Sequence, residues 1–222
     1  GESMKRDKKK KRINAFRNMF IALVFLFLYI PIFVVILFSF NTSKMNIVFE
    51  GFTFQWYGSF FQNRTLMESF YNSLVIAIAS TVISTIIGTI GAVGLGKYEF
   101  KGKKLVDILL YVPIVIPEIV LGVAMLSIYT LLQVPLGLTT MTIAHITFCI
   151  PFVVISVRAR LSGFDKNLEE AAMDLGANRF RTFMKITLPL IMPGVISGAT
   201  LALSLSLDDV IISFFCSGPG ST

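Results

Sequence analysis

Residues 69–96 read SFYNSLVIAIASTVISTIIGTIGAVGLG, 28 positions without a lysine, arginine, aspartate or glutamate. A bilayer core about 30 Å thick takes about 20 helical residues, so this stretch is long enough to cross it. Ser80, Ser84, Gly88, Ala92 and Gly96 recur at every fourth position and share one helix face. Small side chains at that spacing let a second helix backbone approach closely. The stretch predicts a membrane helix packed against another, and the fold follows from how many such stretches the chain holds.

Three more windows flank it. Asn18 to Ser43 is 26 residues free of those charges, and Ile186 to Leu207 adds another 22. Between Ile119 and Arg158 no acid or base intervenes, but Gln133-Val-Pro-Leu-Gly137 interrupts the run with turn residues. Helices are expected near 16–40, 70–96, 105–132, 139–161 and 189–216. The fold class is therefore all-α: a polytopic membrane helix bundle of five spans, occupying 16–222 after a basic tail over 1–15. Gly1-Glu-Ser before Met4 reads as an expression remnant.

Composition agrees. Of 222 residues, 55% are hydrophobic and 15% charged, against about 25% charged in soluble domains. With a mean hydropathy of +0.77, a core of this size cannot hide the apolar surface without lipid or partner chains. Disordered, collagenous and disulfide-scaffold classes are excluded, and a soluble enzyme nearly so. Cys149 and Cys216 both lie in apolar stretches, so no disulfide framework, metal site or cofactor is indicated.

The net charge of +7 would suggest nucleic acid in a soluble chain. Here position matters more. With the N-terminus inside, 18 Lys/Arg fall on the cytoplasmic side: 8 through Arg17, 4 over 97–104 and 6 over 158–185. Only Lys44 and Arg64 remain outside. The positive-inside rule then fixes a cytoplasmic N-terminus in a multi-pass membrane protein, and no nucleic-acid partner is expected. Lys8-Lys-Lys-Lys-Arg12 is an orientation signal. The first span is too long for a signal-peptide core and no small-x-small cleavage site follows it. The first external segment, 41–68, carries Phe49, Phe52, Phe54, Trp56, Tyr57, Phe60 and Phe61. These suit an interfacial anchor, the favoured reading, or a docking surface for an external protein.

Gly91-Ala-Val-Gly-Leu-Gly96-Lys97-Tyr98 nearly spells a phosphate-binding loop, but Tyr98 replaces the hydroxyl that ligates magnesium. It also ends a membrane helix rather than following a strand. Close helix packing explains it better.

The loop 162–188 carries the sharpest pattern. Asp165 can cap a short helix whose stripe is Leu168, Ala172 and Leu175, and Gly176 ends it. A second short helix follows at nearly a right angle, with Phe180, Phe183 and Met184 on one side. Such knobs either lie on the bilayer or plug a groove in a cytosolic partner.

Acids in spans are candidates for function because each costs about 2.5–3.5 kcal/mol to insert. Glu118, Asp208 and Asp209 qualify, and the spans offer no lysine or arginine to pair them. A visiting external cation would supply the missing charge. Pro113 and Pro117 should kink the helix and free carbonyls beside Glu118. Tyr111, seven residues earlier, shares its face if the helix stays regular, and adds a cation–π contact. Gly198, Ala202, Ser206, Asp209 and Ser213 form one stripe on a continuous helix. Asp209 is thus expected on the path and Asp208 behind it or at a gate. Alternatively, these acids sit in the headgroup zone or pair with a partner subunit. His145 is expected as a neutral, hydrogen-bonded histidine within the bundle rather than a proton relay.

Glu170-Ala171-Ala172, three residues, Gly176, nine residues, then Ile186-x-Leu188-Pro189 resembles the loop signature of binding-protein-dependent ABC importer permeases. The resemblance implies a type I ABC importer transmembrane domain. Its loop would seat coupling helices in a cleft of each ATPase through Glu170, Ala171, Ala172, Gly176, Phe180, Ile186, Leu188 and Pro189. Finer likeness, in residues 145–154, 161–165, 206–213 and 217–219, is to the spermidine/putrescine branch, nearest the second of its two membrane subunits. The implied partners are a homologous second permease subunit, two ATP-binding-cassette ATPases and an extracytoplasmic polyamine-binding protein. The chain itself would be non-catalytic. The family has six spans, and this sequence ends at Thr222, where the last external loop and sixth helix are expected. A permease for another cation or small solute is the alternative within the class. An intramembrane hydrolase using Asp208/Asp209 is the alternative outside it, disfavoured because adjacent helix positions diverge and no nucleophile–histidine pair stands out.

Overall fold

The computed structural model describes residues 2–44, 47–165 and 167–219, with the side chains of 2–10 and 12 excepted. Most of the Lys8–Arg12 run and the basic residue Lys166 therefore lie outside the described side chains. The chain divides into two units, 1–67 and 68–222.

In the first unit, α1 runs Glu2–Phe38, and the most apolar 18-residue window within Ile13–Phe38 has a mean hydropathy of 3.1. The segment that follows is tied down by one residue. Asn41 donates from Nδ2 to Val48 O (2.7 Å) and accepts at Oδ1 from Glu50 N (2.9 Å). Its carbonyl accepts from Trp56 Nε1 (2.7 Å). The Phe40 ring packs against Phe52, Phe54 and Tyr57 at 4.9–5.4 Å. Phe40, Phe52, Phe54 and Tyr57 thus form one cluster leading into α2 (Gln55–Gln62), while Phe49 packs on Phe38 and Phe60 on Phe61.

The second unit is built around a central helix. The elements are α3 (Arg64–Lys97), α4 (Lys103–Val115), α5 (Glu118–Leu131), α6 (Leu138–Leu161), α7 (Asn167–Asp174), α8 (Arg179–Thr182), α9 (Leu188–Asp208) and α10 (Ile211–Cys216). Glycines mark where backbones meet α6. A Cβ on Gly88 of α3 would stand 2.7 Å from the Val153 side chain. One on Gly198 of α9 would stand 3.1 Å from Val153 Cα, and one on Gly194 would stand 3.0 Å from Ser156 O. Ser80, Ser84, Gly88 and Ala92 are all buried, as the four-residue spacing predicts, whereas Gly96, the last of the stripe, is exposed. Arg158 of α6 donates to Asp107 of α4 at 2.6 Å.

Three expected helices are built differently. The span over 105–132 is two helices, α4 and α5, bent by 114° at Ile116–Pro117. Ile116 is extended (φ −77°, ψ 138°), the conformation a following proline enforces. Four described helices are long and apolar enough to cross a membrane, five if this bent pair counts as one.

The helix expected over 189–216 breaks at Asp209, which is extended (φ −70°, ψ 122°). Its carboxylate accepts from the backbone N–H of Ile212 (3.2 Å) and Ser213 (2.9 Å), so it starts α10 instead of continuing α9.

The second short loop helix is not separate. From Arg179 it passes through a π-helical turn, Phe183–Thr187, straight into α9. The wider turn accommodates Pro189, which has no N–H and would crowd an ordinary preceding turn. Phe183 consequently packs on the core while Phe180 points out, so the two do not share a face. The first loop helix matches expectation. Asp165 Oδ1 accepts from Asn167 N at 3.0 Å. Gly176 takes φ +86°, and Ala177 N donates to Ala172 O across the end, a Schellman closure.

Candidate functional site

The break between α9 and α10 opens a cavity of about 460 Å3 lined by serines. Ser69 and Ser73 come from α3, Met141 and His145 from α6, and Ser206, Asp209, Ser213 and Ser217 from the α9–α10 region. His145 organises its floor. Nδ1 lies 2.7 Å from Ser206 Oγ, and Nε2 lies 3.0 Å from Ser213 Oγ and 3.3 Å from Asp209 Oδ2. A carboxylate only accepts, so a proton on Nε2 satisfies Asp209 and leaves Nδ1 to accept from Ser206. Ser80 of α3 completes the chain at 3.0 Å from Ser206 Oγ. Four elements are thus joined by a polar network within an apolar bundle.

The acids separate. Asp209 has a side chain only 1% exposed, held by His145, Ser213 and the α10 backbone. The expectation that it lacks a partner within the chain fails, because its partner is a histidine rather than a lysine or arginine. Asp208 is exposed. Glu118 begins α5, half-buried, just beyond the Pro117 bend. Tyr111 lies in α4, exposed. The 114° bend removes the face that Tyr111 and Glu118 would share on a regular helix.

Ser206, His145 and Asp209 form a serine–histidine–aspartate chain that sequence spacing did not reveal, since 61 residues separate His145 from Ser206. Hydrolysis needs an accessible hydroxyl and free N–H donors for the oxyanion. Ser206 is buried, and the N–H groups of Ile212 and Ser213 are taken by Asp209. Among the described residues, no group of three or more His, Cys, Asp or Glu is placed to hold a metal ion.

The loop 162–188 presents a different surface. Leu175 is 91% and Phe180 73% exposed, with Leu168 and Met184 beside them in the sequence pattern and also exposed. Glu170 and Ala171 are exposed, Ala172 and Ile186 half-buried, Leu188 packs on the core, and Pro189 is exposed. Behind this surface Glu169 pairs with Lys97 at the end of α3 and accepts from the Thr187 hydroxyl. The partner of Lys97 in the near-miss phosphate loop is therefore a carboxylate.

Residues 84–222 match the family model for the binding-protein-dependent transport system inner membrane component. The chain belongs to that family. This permease is 43% identical to the spermidine/putrescine transport system permease protein PotC of Escherichia coli (strain K12), over 203 residues covering 91% of this chain and 77% of the relative. It is 38% identical to the putrescine transport system permease protein PotI of the same organism, over 93% of this chain and 76% of the relative. In fold it resembles a bacterial ABC transporter involved in the import of the acidic polysaccharide alginate. That match has a TM-score of 0.74 at 18% identity, covering 96% of this chain and 77% of the other. The permease is thus a helical, multi-pass inner-membrane transport component.

Side chains that sequence reasoning passed over are Ser69, Ser73 and Ser217 around the cavity, His145 as the partner of Asp209, and Lys97, Glu169 and Thr187 beneath the loop. Serines in apolar spans were the available signal. Lys97 carried none beyond its charge.

Proposed function

We propose that this permease is one of two membrane subunits of an ATP-driven polyamine importer, forming half of the path for spermidine or putrescine. The observation that carries the reading is the 43% identity to a spermidine/putrescine permease along 91% of the chain. Physical chemistry supports it. Glu118 and Asp208 leave carboxylates accessible, and the cavity beside Asp209 is lined by hydroxyls that solvate ammonium groups. Tyr111 adds an aromatic face for a cation.

The N-terminus and the loop 162–188 lie in the cytoplasm. Glu170, Ala171, Ala172, Gly176, Phe180, Ile186, Leu188 and Pro189 form the surface and hinge that meet an ATP-binding-cassette subunit. An extracytoplasmic binding protein delivers the solute, and ATP binding draws the loops together so that access alternates across the bundle. ATP is hydrolysed by the partner ATPases.

The test is uptake of labelled spermidine by the complete complex in vesicles carrying Glu118→Gln, Asp208→Asn or Asp209→Asn. Asparagine keeps a capping oxygen for α10. Glu118→Gln and Asp209→Asn should each lower uptake by about tenfold or more, equivalent to about 1.4 kcal/mol, with complex recovery unchanged. Wild-type uptake by both would remove these acids from the path.

A further inference from the structure

Three elements meet at one carboxylate on the loop side of the bundle. Glu169 stands in the first turn of α7, where an acid favours the helix dipole. Its Oε1 accepts from Lys97 Nζ, the last residue of α3, and from Thr187 Oγ1, the last residue of the π-helical turn that feeds α9. Lys97 Nζ also lies 3.4 Å from Thr187 Oγ1 and 5.9 Å from the centre of the Phe164 ring, in the segment joining α6 to α7. Glu169 is 13% and Lys97 25% exposed, so the pair is largely withdrawn from water, and Thr187 is fully buried. On this side α7 reaches α3 and the π turn through charge and hydrogen bonds, while Leu175, the residue after its end, is 91% exposed.

Two cavities, of about 210 and 350 Å3, flank the pair, and both are lined by Lys97, Glu169 and Met173. The contact is therefore a polar pin with open space on either side, not a close-packed seam. A withdrawn ion pair resists separation, because parting it leaves two under-solvated charges. It still permits α7 to pivot. The π turn at Thr187 is the kind of local widening often found where helices perform functional motion.

We propose that the Lys97–Glu169–Thr187 junction is the positioning link that carries displacement of the loop helix α7 into α3 and α9. The proposal rests on the importer reading above. A push on the exposed face of α7 moves Glu169, and through it the ends of two spans at once. Without the pin, α7 can respond to the ATPase while the spans do not.

The experiment uses the complete complex in vesicles with labelled spermidine and measures solute moved per ATP hydrolysed, beside basal ATP hydrolysis and complex recovery. The proteins are unaltered, Lys97→Met, Glu169→Gln, Thr187→Val and the exchange Lys97→Glu with Glu169→Lys. Each ion-pair single should lower solute per ATP by about tenfold, within the usual range of coupling between sites, with recovery and basal hydrolysis retained. The exchange should restore much of it. Unchanged solute per ATP in both singles, or an exchange that assembles yet couples no better than they do, overturns the link. Should the singles not assemble, Thr187→Val decides: a reduced ratio supports the link and a wild-type ratio refutes it. Unaltered complex that hydrolyses ATP without moving spermidine counts against the importer reading, whereas normal unaltered transport with unaffected variants counts against the link alone.

Discussion

The helices containing residues 13–38 and 138–161 are both long enough to cross a membrane, and they bury themselves in opposite measure. The most apolar 18-residue window of the first has a mean hydropathy of 3.1, and none of it is buried within the chain. That of the second has a mean hydropathy of 1.9, and 56% of it is buried. In water the more apolar helix would be the core. In lipid, apolar side chains gain nothing by leaving the acyl chains, so helices associate through small residues and polar contacts. The helix with His145, Cys149 and Thr140 is accordingly the hub of the second unit.

The most severe way to break this contrast is to add volume at the hub. Gly88→Leu must displace Val153, because even a Cβ would lie 2.7 Å away. A loss of about 1–3 kcal/mol or more is expected, seen as a lower melting midpoint of the purified chain in detergent. An unchanged midpoint would mean that α3 and α6 do not pack there.

Removing the network is expected to cost less. His145→Leu strands Ser206, Ser213 and Asp209 together, for about 1–2 kcal/mol, the range for polar contacts between membrane helices. The melting midpoint in detergent reads it, and a variant as stable as wild type would show the network to be incidental.

Smaller still is the contrast between adjacent acids. Asp209→Ala removes the carboxylate that receives two α10 N–H groups, for about 0.5–2 kcal/mol, whereas the exposed Asp208→Ala stays within about 0.5 kcal/mol. Equal effects would erase the distinction. At the bottom of the scale, Leu23→Ala in α1 is expected to shift the melt by no more than about 0.5 kcal/mol. A larger shift would place α1 in the packed bundle.

Several features were legible without coordinates because they are local. Charge-free windows gave the spans, the four-residue spacing of Ser80, Ser84, Gly88 and Ala92 gave a packing face, and Gly176 gave the end of α7. Residues 170–189 gave the family. What escaped depends on contacts between distant residues or on the size of a distortion. Pro113 and Pro117 announced a kink, but nothing in the pattern set it at 114°. Asp209 continues a helical stripe in sequence, and its carboxylate breaks the helix where it caps α10 beside His145, on another span. The π turn before Pro189 looks like ordinary helix in composition. The Lys97–Glu169 pair joins residues 72 positions apart, and neither side chain is unusual where it stands.

The most direct measurement of what this permease does is ATP-driven accumulation of labelled spermidine in vesicles. These hold the permease with the proposed second membrane subunit and the two proposed ATPases, and the proposed binding protein is supplied outside. The account requires accumulation that depends on both ATP and the binding protein, and that excess unlabelled putrescine or spermidine suppresses. Accumulation of a different solute by the same vesicles, with spermidine neither taken up nor competing, would contradict it.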